Sequence, residues 1–75
     1  MSIDPTAPEP IWSQLAALVR DEIASGRRPA RSRLPSINEM AAQQGVATAT
    51  VVKVYRALRD EGVITGVPGR GTFVA

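Results

Sequence analysis

Apolar residues along this chain recur at helical spacing up to Gly62 and alternate after it. Ile11, Leu15, Leu18, Val19 and Ile23 fall three and four residues apart, so they share one face of a helix over about 11–25 that begins after Pro10 and ends at Gly26. Trp12 lies beside that stripe and is expected to pack. A second helix, about 37–44, starts at Ser36, whose side chain and that of Glu39 can each satisfy the other's backbone N–H; Ile37, Met40 and Ala41 point inward, and Gly45 supplies the left-handed stop. Val46 is expected as a buried turn residue. Val51, Val54, Tyr55 and Leu58, at i, i+3, i+4 and i+7, predict a third helix over about 48–61. Thr48 or Thr50 begins it, with the Thr48 hydroxyl the better candidate cap. Beyond Gly62, Val63–Val67 and Thr72–Val74 are β-branched or aromatic runs separated by Pro68-Gly69-Arg70-Gly71, which predicts a hairpin with Arg70 at or near its tip, anchored through Val67, Phe73 and nearby apolar residues. Residues 27–34 cross over, with a minimal strand near Arg33-Leu34 pairing with that hairpin.

The order helix, turn, helix, hairpin predicts a mainly α fold with a small β-wing: a winged helix-turn-helix of three helices and a C-terminal β-hairpin. It would occupy 10–75, behind a flexible arm over 1–9. Away from its apolar stripe the third helix carries Ala49, Thr50, Lys53 and Arg56, where small residues permit close approach to a groove and cations neutralise phosphates. Arg70 on the wing can enter a minor groove or hold a phosphate. Each of these residues also has a plain structural explanation. Ser36 is a helix cap first, Thr50 a first-turn residue, Tyr55 core, Gly69 and Gly71 turn formers, and Lys53 and Arg56 solvated cations, Arg56 within reach of Asp60. It is their coincidence on one surface that points to double-stranded DNA as the partner, against the alternative of a winged-helix protein-interaction module.

Composition narrows this further. Seventy-five residues suit one domain, and a chain of that size buries only about 60% of its unfolded surface, so oligomerisation would help. The net charge of +2 says little, whereas Arg27, Arg28, Arg31 and Arg33 form a basic run. With no cysteine and no histidine, disulfides, the usual zinc sites and thiol or imidazole catalysis are excluded. Asp21, Glu22, Asp60 and Glu61 have no nucleophile near them in sequence, so no enzyme and no cofactor is expected. Charges at Arg20, Asp21 and Glu22 break the longest apolar-rich stretch, and Met1–Pro5 lacks a leader pattern; a cytoplasmic protein is expected.

Pro10-Ile11-Trp12-Ser13-Gln14-Leu15, Leu34-Pro35-Ser36, Thr50-Val51-Val52-Lys53-Val54-Tyr55, Leu58, Glu61-Gly62 and Gly69-Arg70-Gly71-Thr72-Phe73-Val74 together resemble the N-terminal domain of the GntR family of bacterial transcription regulators, over roughly 9–74. The Thr-Val-x-Lys-x-Tyr pattern is more similar to the YtrA-like branch. The resemblance implies a sequence-specific regulator, expected to be a repressor, with the third helix in the major groove. Arg33, Ser36, Asn38, Thr48, Ala49, Thr50, Lys53, Arg56, Gly69 and Arg70 are then the expected DNA-contacting set. It also implies a weak or DNA-assisted homodimer, with no small-molecule effector site in this chain. Asn38 stands where many members have arginine, Ala47-Thr48-Ala49 where many have a second contacting residue, and Val67-Pro68 where a cation precedes the wing glycine. Because arginine reads guanine and asparagine can pair with adenine, the operator should differ from the family's common one. Relatives continue beyond the wing, so the chain is expected to be a free-standing DNA-binding domain or a fragment of a longer regulator.

Overall fold

The computed structural model describes residues 3–75. In chain order these form α1 (Ile11–Ala24), α2 (Ile37–Gln44), α3 (Thr48–Asp60), β1 (Ile64–Val67) and β2 (Gly71–Val74). Pro10, at φ −57°, takes the cap position before α1, and beyond the helix Gly26 is left-handed at φ 83°. α2 is closed at both ends as expected. The Glu39 N–H donates to Ser36 Oγ at 3.1 Å, the Ser36 N–H donates to Glu39 Oε1 at 2.8 Å, and Gly45 is left-handed at φ 65°. α3 differs from expectation at its start. The backbone is still extended at Ala47, which takes the cap position, so Thr48 is already helical and its hydroxyl does not cap. The first-turn N–H groups of α3 therefore have no side-chain acceptor, as at any uncapped helix start.

The core is built from Leu15, Ala16 and Val19 of α1, Leu34, Met40 and Ala41, Val51, Val54, Tyr55 and Leu58 of α3, and Ile64 and Val74 of the hairpin. Among the described residues no polar or charged residue is buried with them, so burial here is almost wholly apolar. Fully burying each of the larger aliphatic side chains is worth about 1.5–3 kcal/mol. Tyr55 brings the one hydroxyl that needs a partner, and it donates to the Pro35 carbonyl at 2.7 Å, tying α3 to the entry of α2. Ile11 and Ile37, expected on the inward faces, remain exposed because each is the first residue of its helix and overhangs the core. Val46 is half-buried against the core.

β1 and β2 pair antiparallel with Ile64 opposite Val74 and Val67 opposite Gly71. The other edge of β2 takes the crossover. Leu34 N–H donates to the Thr72 carbonyl at 2.8 Å, Val74 N–H to Ser32 at 2.9 Å and Arg31 N–H to Val74 at 2.9 Å, which is the minimal pairing expected near Arg33-Leu34. To enter it Arg31 adopts φ 68°, a left-handed conformation that costs a non-glycine residue about 1–2 kcal/mol. The anchoring falls to the nearby apolar residues and not to Val67 and Phe73. Ile64 and Val74 face the core, while Val67 and Phe73 lie on the opposite face and are half-exposed, because side chains alternate along a strand.

The arm expected to be flexible is folded onto α1 from Ile3 onward. Ile3 packs against the core, and the Gln14 amide donates to the carbonyls of Asp4 at 2.8 Å and Glu9 at 2.9 Å while its Oε1 accepts the Asp4 N–H at 2.6 Å. Met1 and Ser2, the first two residues of that arm, lie outside the described residues.

Candidate nucleic-acid interface

Turning Val51, Val54, Tyr55 and Leu58 inward leaves one long exposed surface on α3. It carries Thr48, Ala49, Val52, Lys53, Arg56, Arg59 and, in the last turn, the acid Asp60. At 100° per residue, Ala49 and Arg56 lie at its centre, Lys53 toward one edge, and Thr48 and Arg59 together at the other. Thr50 is half-buried on the far margin, so of the expected α3 residues it is the least available. Ser36 and Asn38 are exposed at the start of α2, where the Ser36 oxygen accepts the Glu39 N–H.

The two edges of this surface have different electrostatics. On the α1 side, Lys53 Nζ stands 4.5 Å from the centroid of the Trp12 ring, a cation held on an aromatic face. Farther along, Arg20 of α1 makes a two-point contact with Glu61, Nε to Oε1 at 2.9 Å and Nη2 to Oε2 at 2.7 Å, and this holds the Glu61 carboxyl below its ordinary range. From the basic run, Arg28 pairs with Glu22 at 3.0 Å. The pairing considered between Arg56 and Asp60 is not among the ion pairs of the described residues.

On the hairpin side, Arg33, Arg59 and Arg70 line one cleft of about 590 Å³ with Gly66, Val67, Pro68, Gly69, Gly71 and Thr72. No carboxylate lines it. The turn that shapes it follows from its residues. Pro68 suits the first central position, Gly69 supplies φ 75° at the second, and the Arg70 N–H donates to the Val67 carbonyl at 2.9 Å, leaving the Arg70 side chain exposed. Gly71 is needed twice over: its φ is 118°, and a Cβ there would stand 3.1 Å from Arg33 Nε. Elsewhere, Glu39 is held below the usual carboxylate range by the hydrogen bond from the Ser36 backbone first and its side chain second, with the charge of Arg33 adding a smaller effect. Burial pushes the Tyr55 hydroxyl up to about 12, so it stays protonated and keeps its bond to Pro35.

The expected residues are thus gathered along α3, the start of α2 and the hairpin. Sequence reasoning missed Arg59 and Val52. Arg59 is eleven residues after Thr48, which on a helix is nearly the same direction, and that spacing is the signal that could have found it. Among the described residues no group of three His, Cys, Asp or Glu could hold a metal ion, and no helix is long and apolar enough to cross a membrane.

Three helices followed by an antiparallel hairpin, with a cationic third helix beside it, define a winged helix-turn-helix domain. The chain belongs to the family described as "Bacterial regulatory proteins, gntR family", which it matches over residues 12–74. It is 32% identical over 75 residues to the HTH-type transcriptional repressor YtrA of Bacillus subtilis (strain 168), covering all of this chain and 58% of that protein. Its fold superposes on YtrA from Sulfolobus acidocaldarius, a GntR-family transcription factor, with a TM-score of 0.90 and 40% identity, covering 97% of this chain and 77% of the other. It is also similar to AraR(DBD) in the crystal structure of its complex with operator ORR3, at a TM-score of 0.83 and 31% identity over 96% of this chain and 90% of that one. The chain spans less than two thirds of the length of the curated relatives it matches, 58% in the case of the Bacillus repressor.

Proposed function

We propose that this chain is the DNA-binding domain of a sequence-specific transcription repressor, acting in the cytoplasm on an operator duplex. The observation that carries the reading is the continuous exposed surface of α3, on which Lys53, Arg56 and Arg59 outnumber the one acid Asp60, and which runs into the carboxylate-free hairpin cleft lined by Arg33 and Arg70. The similarity to AraR(DBD), whose structure contains an operator, supports it. In this reading α3 lies in the major groove, with Ala49 allowing close approach, Asn38, Thr48 and Thr50 facing base edges, and Ser36, Lys53 and Arg56 holding phosphates. Gly69 lets the hairpin backbone come close, and Arg70 reaches into or beside the flanking minor groove. Two copies on a two-fold or repeated site would supply the affinity that one small module lacks.

Selection of bound sequences from a random duplex pool, followed by titration of a selected site at several salt concentrations, tests the proposal. A defined motif bound with a steep negative salt slope is expected. Absence of any enriched motif together with salt-insensitive or undetectable duplex binding would overturn it in favour of a protein-interaction module.

A further inference from the structure

The cleft between α3 and the hairpin holds two guanidinium groups that make no ion pair within the described residues. Arg59, in the last turn of α3, lies along Gly66 of β1: a Cβ built there would stand 3.8 Å from its Nε and 3.9 Å from its Nη2. Arg33, from the segment paired with β2, lies more tightly along Gly71, where a Cβ would stand 3.1 Å from Nε and 3.6 Å from Nη2. Gly66 is not among the positive-φ residues, and at 3.8–3.9 Å a Cβ there would only touch the guanidinium, so these distances locate Arg59 against β1 at ordinary contact. Neither guanidinium takes part in an ion pair or a side-chain hydrogen bond among the described residues. Arg20 and Arg28, by contrast, are each matched to a carboxylate. Two cations opening on one carboxylate-free cleft repel each other unless an anion lies between them, and a guanidinium presents a planar fork of donors suited to phosphate oxygens.

We propose that Arg33 and Arg59 form a clamp for a single backbone phosphate of duplex DNA, which makes Arg59 a DNA-binding residue alongside those expected from the sequence. The inference rests on the DNA-binding reading of α3 and the hairpin. If α3 occupies a major groove and the hairpin the neighbouring minor groove, the strand that separates the two grooves must pass between these elements. The clamp sits in that gap. Arg70, at the outer end of the cleft, contacts the next phosphate or the groove edge and is not required for the clamp.

The test is a double-mutant cycle on one duplex that the parent binds, with Arg59→Ala, Arg33→Ala and the pair, and with melting curves to confirm that each exposed substitution leaves the fold intact. Each single variant is expected to bind about tenfold more weakly at low salt, as for loss of a charge-assisted hydrogen bond, and Arg59→Ala to flatten the slope of log K against log salt by up to about 0.9. If the two arginines share a phosphate, their effects do not multiply. Effects that multiply within about twofold mean separate phosphates and overturn the clamp. Parent-like affinity of Arg59→Ala overturns it as well, while leaving the DNA reading standing if Lys53→Ala and Arg56→Ala still weaken binding. Titration with inorganic phosphate at constant ionic strength is the remaining arm: saturable binding abolished by Arg59→Ala, with duplex affinity unchanged, would assign the cleft to a free anion and overturn the proposal.

Discussion

The two edges of α3 differ in how their cations are satisfied. On the α1 edge, Lys53 rests on the Trp12 ring and Arg20 is spent on Glu61, so charge there is matched by partners within the domain. On the hairpin edge, Arg33, Arg59 and Arg70 surround a cleft without any carboxylate lining. The first edge fastens the helices to one another and aims a cation; the second keeps its cations available for a partner. In a chain whose net charge is only +2, that separation concentrates unpaired cations on one edge, which total charge does not reveal.

Removing the support common to both edges should have the largest effect. Leu58 is fully buried beneath α3, and Leu58→Ala is expected to cost about 2–5 kcal/mol, read as a lower urea midpoint. A loss under about 1 kcal/mol would mean that the core tolerates collapse there and that the edges are not held by it. Asn38→Arg comes next. It places a guanine reader at the exposed start of α2 and should shift the selected motif toward guanine, with discrimination of about 1–3 kcal/mol at the altered base pair. An unchanged motif would remove Asn38 from base contact.

The contrast itself is sharpened by pairing Tyr55→Phe with Arg20→Ala. Deleting the buried hydroxyl that donates to Pro35 leaves that carbonyl without its partner and should destabilise by about 1 kcal/mol. Arg20 and Glu61 are both more than 40% exposed, and loss of such a solvent-screened surface pair should move the urea midpoint less than Tyr55→Phe does. Arg20→Ala should leave duplex affinity and its salt slope as in the parent; a flattened slope would move the DNA surface onto α1.

Acid should give the smallest and most gradual effect. Glu39 and Glu61 titrate below their ordinary value of 4.5 in the folded chain, so the stability they contribute is complete above that pH and is lost as pH falls through the folded values. Urea midpoints should therefore decline below about pH 4.5. Glu39→Gln, which can still accept the Ser36 N–H, should make that decline shallower; an identical decline would place the sensitive carboxylates elsewhere.

Much of this molecule was legible along the chain because its helix ends are written in local chemistry. The Ser36–Glu39 box and Gly45 bound α2 without reference to anything distant, and the spacing of Val51, Val54, Tyr55 and Leu58 assigned the buried side of α3. Local rules failed where two residue types competed for one role. Thr48 has the better capping side chain, but the backbone turns at Ala47, one residue earlier. They failed again in the hairpin, where apolar residues occur on both faces and pattern alone cannot choose between Ile64 with Val74 and Val67 with Phe73.

The sequence by itself determined the three helices, the hairpin turn and the cationic outer side of α3, because each depends on residues within a few positions of one another. Tertiary structure decided which cations are spent and which are kept. Trp12 meets Lys53, Arg20 meets Glu61, and Arg33 shares a cleft with Arg59, over separations of roughly 26 to 41 positions along the chain. No local periodicity encodes such meetings, since they follow from how α1, the crossover and the hairpin pack around α3. The hairpin face that is buried was decided in the same way: Ile64 and Val74 turn inward because the register with the Ser32–Leu34 segment, and not their own hydrophobicity, puts them above Leu34 and the core.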